Sequence, residues 1–264
     1  MNRKRIHIVL SVVLILGILW LLWGNLTVGV TKLTITEETL PMAFHGLKIA
    51  HVSDLHNSHL WKQTIRQLQK AQPDIICITG DMVDCSHTNV QVALAFAEEA
   101  MKIAPCYYIT GNHELNLDKT DYETLIAGLK HAGVHVLEDE AVTLERGDAQ
   151  LRLVGTGWGS SQYQGELSQF DGYKILLAHD PKHFESYAQA GYDLVLTGHI
   201  HGGQFRFPFV GGLYGPGQGL FPQYDSGVYS NNTADMVVSR GIGNSVFPVR
   251  FANRPEVILI TLKA

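Results

Sequence analysis

The sequence has little cysteine, no excess of positive charge and only one long apolar run. Its three cysteines, Cys77, Cys85 and Cys106, are an odd number and too few for a disulfide framework. Cys77 lies in the run Ile75-Ile76-Cys77-Ile78 and reads as a small buried hydrophobe. The 20 basic and 25 acidic residues leave a net charge of −5. Three of the basic residues, Arg3, Lys4 and Arg5, cluster at the extreme N-terminus, and the rest of the chain sets 17 basic against 25 acidic residues, a charge of −8. That balance carries no electrostatic footprint for nucleic acid, and no nucleic-acid partner is expected. Internal repeats and low-complexity linkers are missing too. With 45% hydrophobic and 17% charged residues, a disordered, collagen-like or coiled-coil chain is excluded.

The one long apolar run is Ile6 to Trp23, 18 residues without a formal charge. As a helix rising ~1.5 Å per residue it spans ~27 Å, close to the ~30 Å hydrocarbon core of a bilayer. Trp20 and Trp23 fall at its end, where aromatic rings favour the headgroup level. The basic cluster before it predicts a cytoplasmic N-terminus and an extracytoplasmic remainder. The following GNLTVGV offers no small-residue cleavage site, so an uncleaved single-pass anchor is preferred to a signal peptide.

From Gly46 onward, strand and helix patterns alternate. Strand patterns end in polar residues at GLKIAHVSD, DIICITGD and PCYYITGNHE, separated by helical patterns at WKQTIRQLQKAQ and NVQVALAFAEEAMK. A helix over Asp121–His131 follows, and AVTLERGDAQLRLVG reads as a hairpin turning at Gly147-Asp148. KILLAHDP, DLVLTGHIH, MVVSRG and EVILITL supply four later strands, which makes the fold class α/β with a large mixed-sheet content. Before Gly46, only Leu33–Thr36 shows strand alternation. Residues 202–227 break the pattern with Gly, Pro and aromatics; so long a loop is either functional or packed by its own aromatics.

Metal-type residues gather where the strands end. Asp54 and His56 follow the first strand, Asp81 the second, Asn112 and His113 the third, His179 KILLA, and His199 and His201 DLVLTG. Singly, each is ordinary, since a lone histidine after a strand is more often structural than a ligand. In α/β sheets, however, ligands bind at the carboxyl ends of strands. An ordered set of carboxylate, amide and imidazole donors without a thiolate suits Zn, Mn or Fe, and its imidazoles argue against Ca and Mg.

These blocks carry a family resemblance. DLH (Asp54–His56), GDMVD (Gly80–Asp84), GNHE (Gly111–Glu114), AHDP (Ala178–Pro181) and GHIHGG (Gly198–Gly203) resemble, in order, the signature of the calcineurin-like metallophosphoesterases. The closing stretch SRGIGNSVFPVRFANRPEVILITL is similar to the membrane-associated bacterial branch related to the YkuE and YaeI phosphodiesterases. The resemblance implies two mixed β-sheets packed as a sandwich and flanked by helices, here preceded by one N-terminal transmembrane helix. Residues 1–24 are then the anchor, 25–45 a connector with a first strand, and 46–264 the metallophosphoesterase domain.

The resemblance also implies two divalent metal ions. Asp54, His56, Asp81 and His201 would hold one, and Asp81, Asn112, His179 and His199 the other. A shared carboxylate would set the ions ~3.5–4 Å apart, as in two-metal phosphoryl-transfer sites. An extracytoplasmic domain collects its metals outside, which favours Mn or Zn and leaves Fe compatible. A hydroxide bridging the ions would attack phosphorus, and His113 would protonate the leaving group. Asp84 would orient His113 or, alternatively, cap a helix; Glu114 reads as an outer partner rather than a ligand. The expected reaction is hydrolysis of a phosphodiester or pyrophosphate bond, in a lipid-linked or cell-envelope substrate. The aromatic loop at 205–224 would contact a lipid chain. The alternative is a non-catalytic scaffold presenting that loop to a partner; the complete ligand set speaks against it.

Overall fold

A computed structural model describes residues 3–161, 164, 169–244 and 247–264. Met1 and Asn2 of the expected anchor, and Ser245-Val246 of the closing stretch, lie outside the described residues. Helix α1 (Arg3–Leu26) buries none of its side chains and is long and apolar enough to cross a membrane. Its leucines, isoleucines and valines are exposed rather than packed in a core.

The chain then runs through β1 (Gly29–Thr36), β2 (Lys48–Val52), α2 (Trp61–Ala71), β3 (Ile75–Thr79), α3 (Val90–Met101), β4 (Cys106–Ile109), the single turn α4 (Asn112–Leu115), α5 (Lys119–His131) and β5 (His135–Val136). The hairpin β6 (Glu140–Arg146) and β7 (Ala149–Gly155) leads to β8 (Lys174–Leu177), α6 (Phe184–Gln189) and β9 (Leu194–Thr197). The Gly/Pro/aromatic loop holds four two-residue strands: β10 (Arg206–Phe207), β11 (Gly211–Gly212), β12 (Tyr214–Gly215) and β13 (Gly219–Leu220). β14 (Gly227–Ser230), β15 (Asp235–Val238) and β16 (Glu256–Lys263) complete the fold.

Two mixed six-stranded sheets result, in the orders β1-β16-β2-β3-β4-β5 and β14-β15-β9-β8-β7-β6. Alternation at period two divides each buried strand between two cores. Ile49, Cys77, Tyr107 and Ile109 of the first sheet face Leu151, Leu153, Ile175 and Leu196 of the second. Ala50, Ile76 and Ile78 point the other way, against Leu68, Phe96 and Leu129 of α2, α3 and α5. On the far side, Leu176, Val195 and Met236 pack against Phe184 and Tyr187 of α6. The order of layers is therefore helix, sheet, sheet, helix. Strands buried on both faces read as continuous apolar runs, which is why they were easy to find.

Two segments are more ordered than their composition predicts. The strand read at Leu33–Thr36 starts earlier, at Gly29, because all eight residues of β1 pair in parallel with β16. The 202–227 loop is tied down through Asp225, whose carboxylate accepts from Gly212 N–H at 2.5 Å and pairs with Arg206 at 3.1 Å. Strand direction also fixes where α1 enters. β16 runs antiparallel to β2, and β1 runs with β16, so Gly29 starts beside Glu256 at the carboxyl end of β2. The apolar helix thus joins the sheet at the end where the strand-end blocks sit.

Leu153 is fully buried between the sheets. Leu153→Ala is expected to cost about 2–5 kcal/mol of stability, read as a lower midpoint in urea unfolding followed by circular dichroism.

Candidate metal centre

The loops after β2, β3, β4, β8 and β9 converge at one end of the sandwich. They bring together two triads whose potential ligand atoms lie within 4.8 Å of one another: Asp54, His56 and His201, and Asp81, His179 and His199. The triads adjoin. Asp81 Oδ2 is 3.2 Å from His179 Nε2 and 3.6 Å from His56 Nε2, and Asp54 Oδ1 is 3.9 Å from His179 Nε2. Asn112 and His113 line the same cavity as Asp81, His199 and His201, with Tyr214 and Phe247 on its far wall; its volume is about 400 Å³. Every residue named as a candidate ligand is therefore in one place.

Local backbone makes this possible. Asp54, His56, Asp81, His199 and His201 all have positive φ, between 43° and 71°, a region that non-glycine residues rarely occupy. Such strain persists only where surrounding structure over-determines it. Here Asp54 N–H donates to Gly80 O, His56 N–H to Asp81 O and Asn57 N–H to Met82 O, which laces the first two loops together. His199 N–H donates to Asp54 Oδ1 at 3.0 Å, and His113 N–H to Asp81 Oδ1 at 2.9 Å. Gly198 is required by close approach, since a Cβ there would lie 1.9 Å from Ser53 Oγ and 2.4 Å from Asp54 Oδ2.

Glu114 holds the second and third loops in register. Its Oε2 accepts from Asp81 N–H at 2.8 Å and Gly111 N–H at 2.7 Å, while Oε1 accepts from Met82 N–H at 2.7 Å. Burial and the Asp81 charge push this carboxyl up, and the amide donors pull it back toward the ionised form. It faces loop backbone, so it supports the site from behind.

The donor set fits divalent metal. Burial lowers His56 and His201 to about 3 and His199 to about 4, so these imidazoles are neutral with lone pairs available. Burial also opposes the charged forms of His179 and Asp81, but their mutual pairing wins, raising the imidazole and lowering the carboxyl. Asn112 Oδ1 is buried with no hydrogen-bond partner among the described residues, and His56 Nε2 faces His201 Nε2 at 3.1 Å. An orphaned amide oxygen and crowded ring nitrogens are what a cation would satisfy.

Asp84 Oδ1 accepts from Ser86 N–H at 2.8 Å and lies 4.0 Å from His113 Nδ1, outside hydrogen-bond reach. It closes an Asx turn, and the helix that follows begins later, at Val90. His113 Nδ1 accepts instead from Cys85 N–H at 3.1 Å. Two neighbours escaped sequence reading. Trp158 packs against His199 and His179, with ring centroids 4.7 and 5.5 Å away. Its signal was a polar-rich segment after β7, the same position that marks the other blocks. Arg250 is fully buried; its Nη2 lies 3.3 Å from His201 Nδ1 and donates to Gly243 O, and its Nη1 donates to Arg240 O at 2.5 Å. Nothing local in PVRFANRP distinguishes it from a surface arginine.

Comparison with known proteins defines the class. The family model for calcineurin-like phosphoesterases matches residues 47–203, and the chain belongs to that family. It is a metal-dependent phosphoesterase. Over 89% of this chain and 85% of the relative, it is 30% identical to the metallophosphoesterase YkuE of Bacillus subtilis. It is also 30% identical to the phosphodiesterase YaeI of Escherichia coli, over 81% of this chain and 82% of that one. A bovine transmembrane protein with a metallophosphoesterase domain is 27% identical over 98% of this chain and 63% of its own length.

Glu114→Gln turns an amide group toward backbone N–H donors. It is expected to cost about 1–3 kcal/mol for each donor left unpaired and to lower the denaturation midpoint, whereas the neighbouring exposed Leu115→Ala should not.

Proposed function

We propose that this chain is a membrane-anchored phosphoesterase that uses two divalent metal ions to hydrolyse a phosphodiester or pyrophosphate bond in a lipid-linked or cell-envelope substrate. Residues 1–24 serve as the anchor with a cytoplasmic N-terminus, 25–45 connect, and 46–264 form the extracytoplasmic catalytic domain. The observation that carries the reading is the meeting of the two buried triads at one end of the sandwich. Asp54, His56, Asp81 and His201 would hold one ion, and Asp81, Asn112, His179 and His199 the other. Mn or Zn suits these donors, and Fe is compatible. Bound there, divalent ions neutralise phosphate oxygens and make a water molecule acidic near neutral pH.

The remaining chemistry belongs to side chains. Because His113 Nδ1 accepts from Cys85 N–H, the neutral ring carries its proton on Nε2. His113 ring packs edge-on against His56, 4.5 Å between centroids, beside the proposed centre. As an imidazolium, with the Asp84 carboxylate 4.0 Å from its Nδ1, the ring would give its Nε2 proton to a leaving alkoxide and be left neutral, the step a general acid serves. Asp84 contributes negative charge near His113 and the turn that aims the Cys85 amide. Tyr214 and Phe247 wall the cavity in front of these groups.

Two experiments test this on the full chain in detergent. After stripping and reloading with Mn or Zn, it is expected to hydrolyse bis(p-nitrophenyl) phosphate, and Asp81→Asn to lose at least one metal by elemental analysis together with that activity. Full occupancy with normal turnover in the variant would remove Asp81 from the centre. His113→Asn should keep both metals yet lose about 10²–10⁴-fold in turnover on an alkyl phosphodiester. On the p-nitrophenyl ester, whose leaving group needs no proton, the loss should be much smaller.

A further inference from the structure

Apart from Met42 and Leu115, the exposed large apolar side chains described outside α1 all fall between Phe207 and Phe251, in the segment that supplies Tyr214 and Phe247 to the site cavity. Phe209 is fully exposed and Leu220, Phe221 and Val210 are more than half exposed. Phe209 and Phe221 also sit at positive φ, 67° and 55°, where a bulky residue gains nothing from local backbone. From Phe207 through Tyr224 the chain has no charged residue. Apolar side chains held out by strained turns, over a continuous uncharged stretch, form a patch that water does not favour.

This patch forms a rim continuous with α1. Phe207 packs against Phe251, 6.1 Å between ring centroids, and Phe251 packs edge-on against Trp20 at 5.5 Å. Asn25, in the last turn of α1, binds the Arg250 backbone on both sides, accepting from its N–H at 2.7 Å and donating to its carbonyl at 2.9 Å. Trp20 stands six residues before Leu26, ~9 Å down the helix axis. Phe251 and Phe207 therefore lie alongside the apolar stretch of α1, not beyond it. The Arg254 guanidinium lies 4.3 Å from the centre of the Trp23 ring, the pairing of cation and aromatic suited to a headgroup layer.

We propose that this rim, built from Phe207, Phe209, Val210, Leu220, Phe221 and Phe251, is a second membrane contact that inserts into the interfacial layer of the bilayer beside α1. The inference rests on the reading of α1 as a membrane anchor. Tyr214, between the two halves of the rim, is also a wall of the site cavity. With the rim inserted, that cavity opens at the bilayer surface, and an amphiphilic phosphoester reaches it without its chains crossing water.

The test uses the full chain reconstituted in phosphatidylcholine–phosphatidylglycerol vesicles. On a Cys85→Ser background, with Cys77 and Cys106 buried, single cysteines replace Phe209, Phe221, Leu16 in α1, or Asp148 at the far hairpin. Each is labelled with an NBD fluorophore, and unchanged circular-dichroism melting shows that the variants fold. Blue-shifted emission at positions 209 and 221, quenched by lipid carrying a nitroxide high on the acyl chain, with position 148 unquenched, is the expected result. Quenching at 16 with 209 and 221 as exposed to water as 148 overturns the rim proposal and leaves the anchor standing. No quenching at 16 overturns both. None of these readings depends on hydrolysis, so a missing phosphodiesterase activity is a separate failure.

Discussion

The Asp81 carboxylate is the point on which the rest of this site depends. One oxygen accepts the His113 amide at 2.9 Å, and the other lies 3.2 Å from His179 and 3.6 Å from His56. Four strand ends, those of β2, β3, β4 and β8, are thus referenced to one side chain. Its own amide is fixed by Glu114, which also grips the loop that carries Asn112. A carboxylate this buried is costly unless paired. The His179 imidazole supplies that pairing here, and divalent metal would supply it more strongly. The same demand explains why the ligand-bearing loops are short and laced amide to carbonyl. A flexible loop could not keep Asp81 within reach of four partners at once.

How much of this was legible follows from where the information lies. β2, β3, β4, β8 and β9 were visible because a strand buried on both faces must be continuously apolar. The blocks at their ends were visible because polar residues interrupt those runs at the same relative position. β5, only two residues long, and β14, with alternate residues exposed, carry too little pattern to stand out. The four short strands of the 202–227 loop escaped for another reason. Their order comes from Asp225 and from glycines in tight turns, not from periodicity. Trp158 and Arg250 are tertiary neighbours. Their roles depend on what lies opposite, Trp158 against His199 and Arg250 against His201. No local sequence signal encodes an opposite face.

Arg250 joins two parts of the molecule that the sequence presents as separate. Its guanidinium fills a fully buried position between the Gly243 turn and His201, while its backbone is clasped by Asn25 of α1. A buried cation needs all its donors used. Carbonyls of Arg240 and Gly243 and the Asn244 side chain take them. Arg250 consequently touches both the helix, through its backbone, and the site, through its guanidinium. One residue thus sits between α1 and His201, its backbone held by Asn25 and its side chain beside the imidazole.

The distribution of strained backbone sharpens the same point. Non-glycine residues at positive φ fall largely into two groups, one in the ligand loops and one along the 204–252 face with Phe209, Phe221 and Ala252. In the first group the compensation is visible as hydrogen bonds and ion pairs around Asp54, His56, Asp81, His199 and His201. In the second, Phe209 is held out with no protein surface to bury its ring. That uncovered ring on strained backbone is the observation behind the proposed second membrane contact. α1, whose side chains are likewise unburied, meets the same face through the contact of Trp20 with Phe251. In the proposed membrane reading, helix and rim share one apolar environment, on the side of the molecule where the site opens.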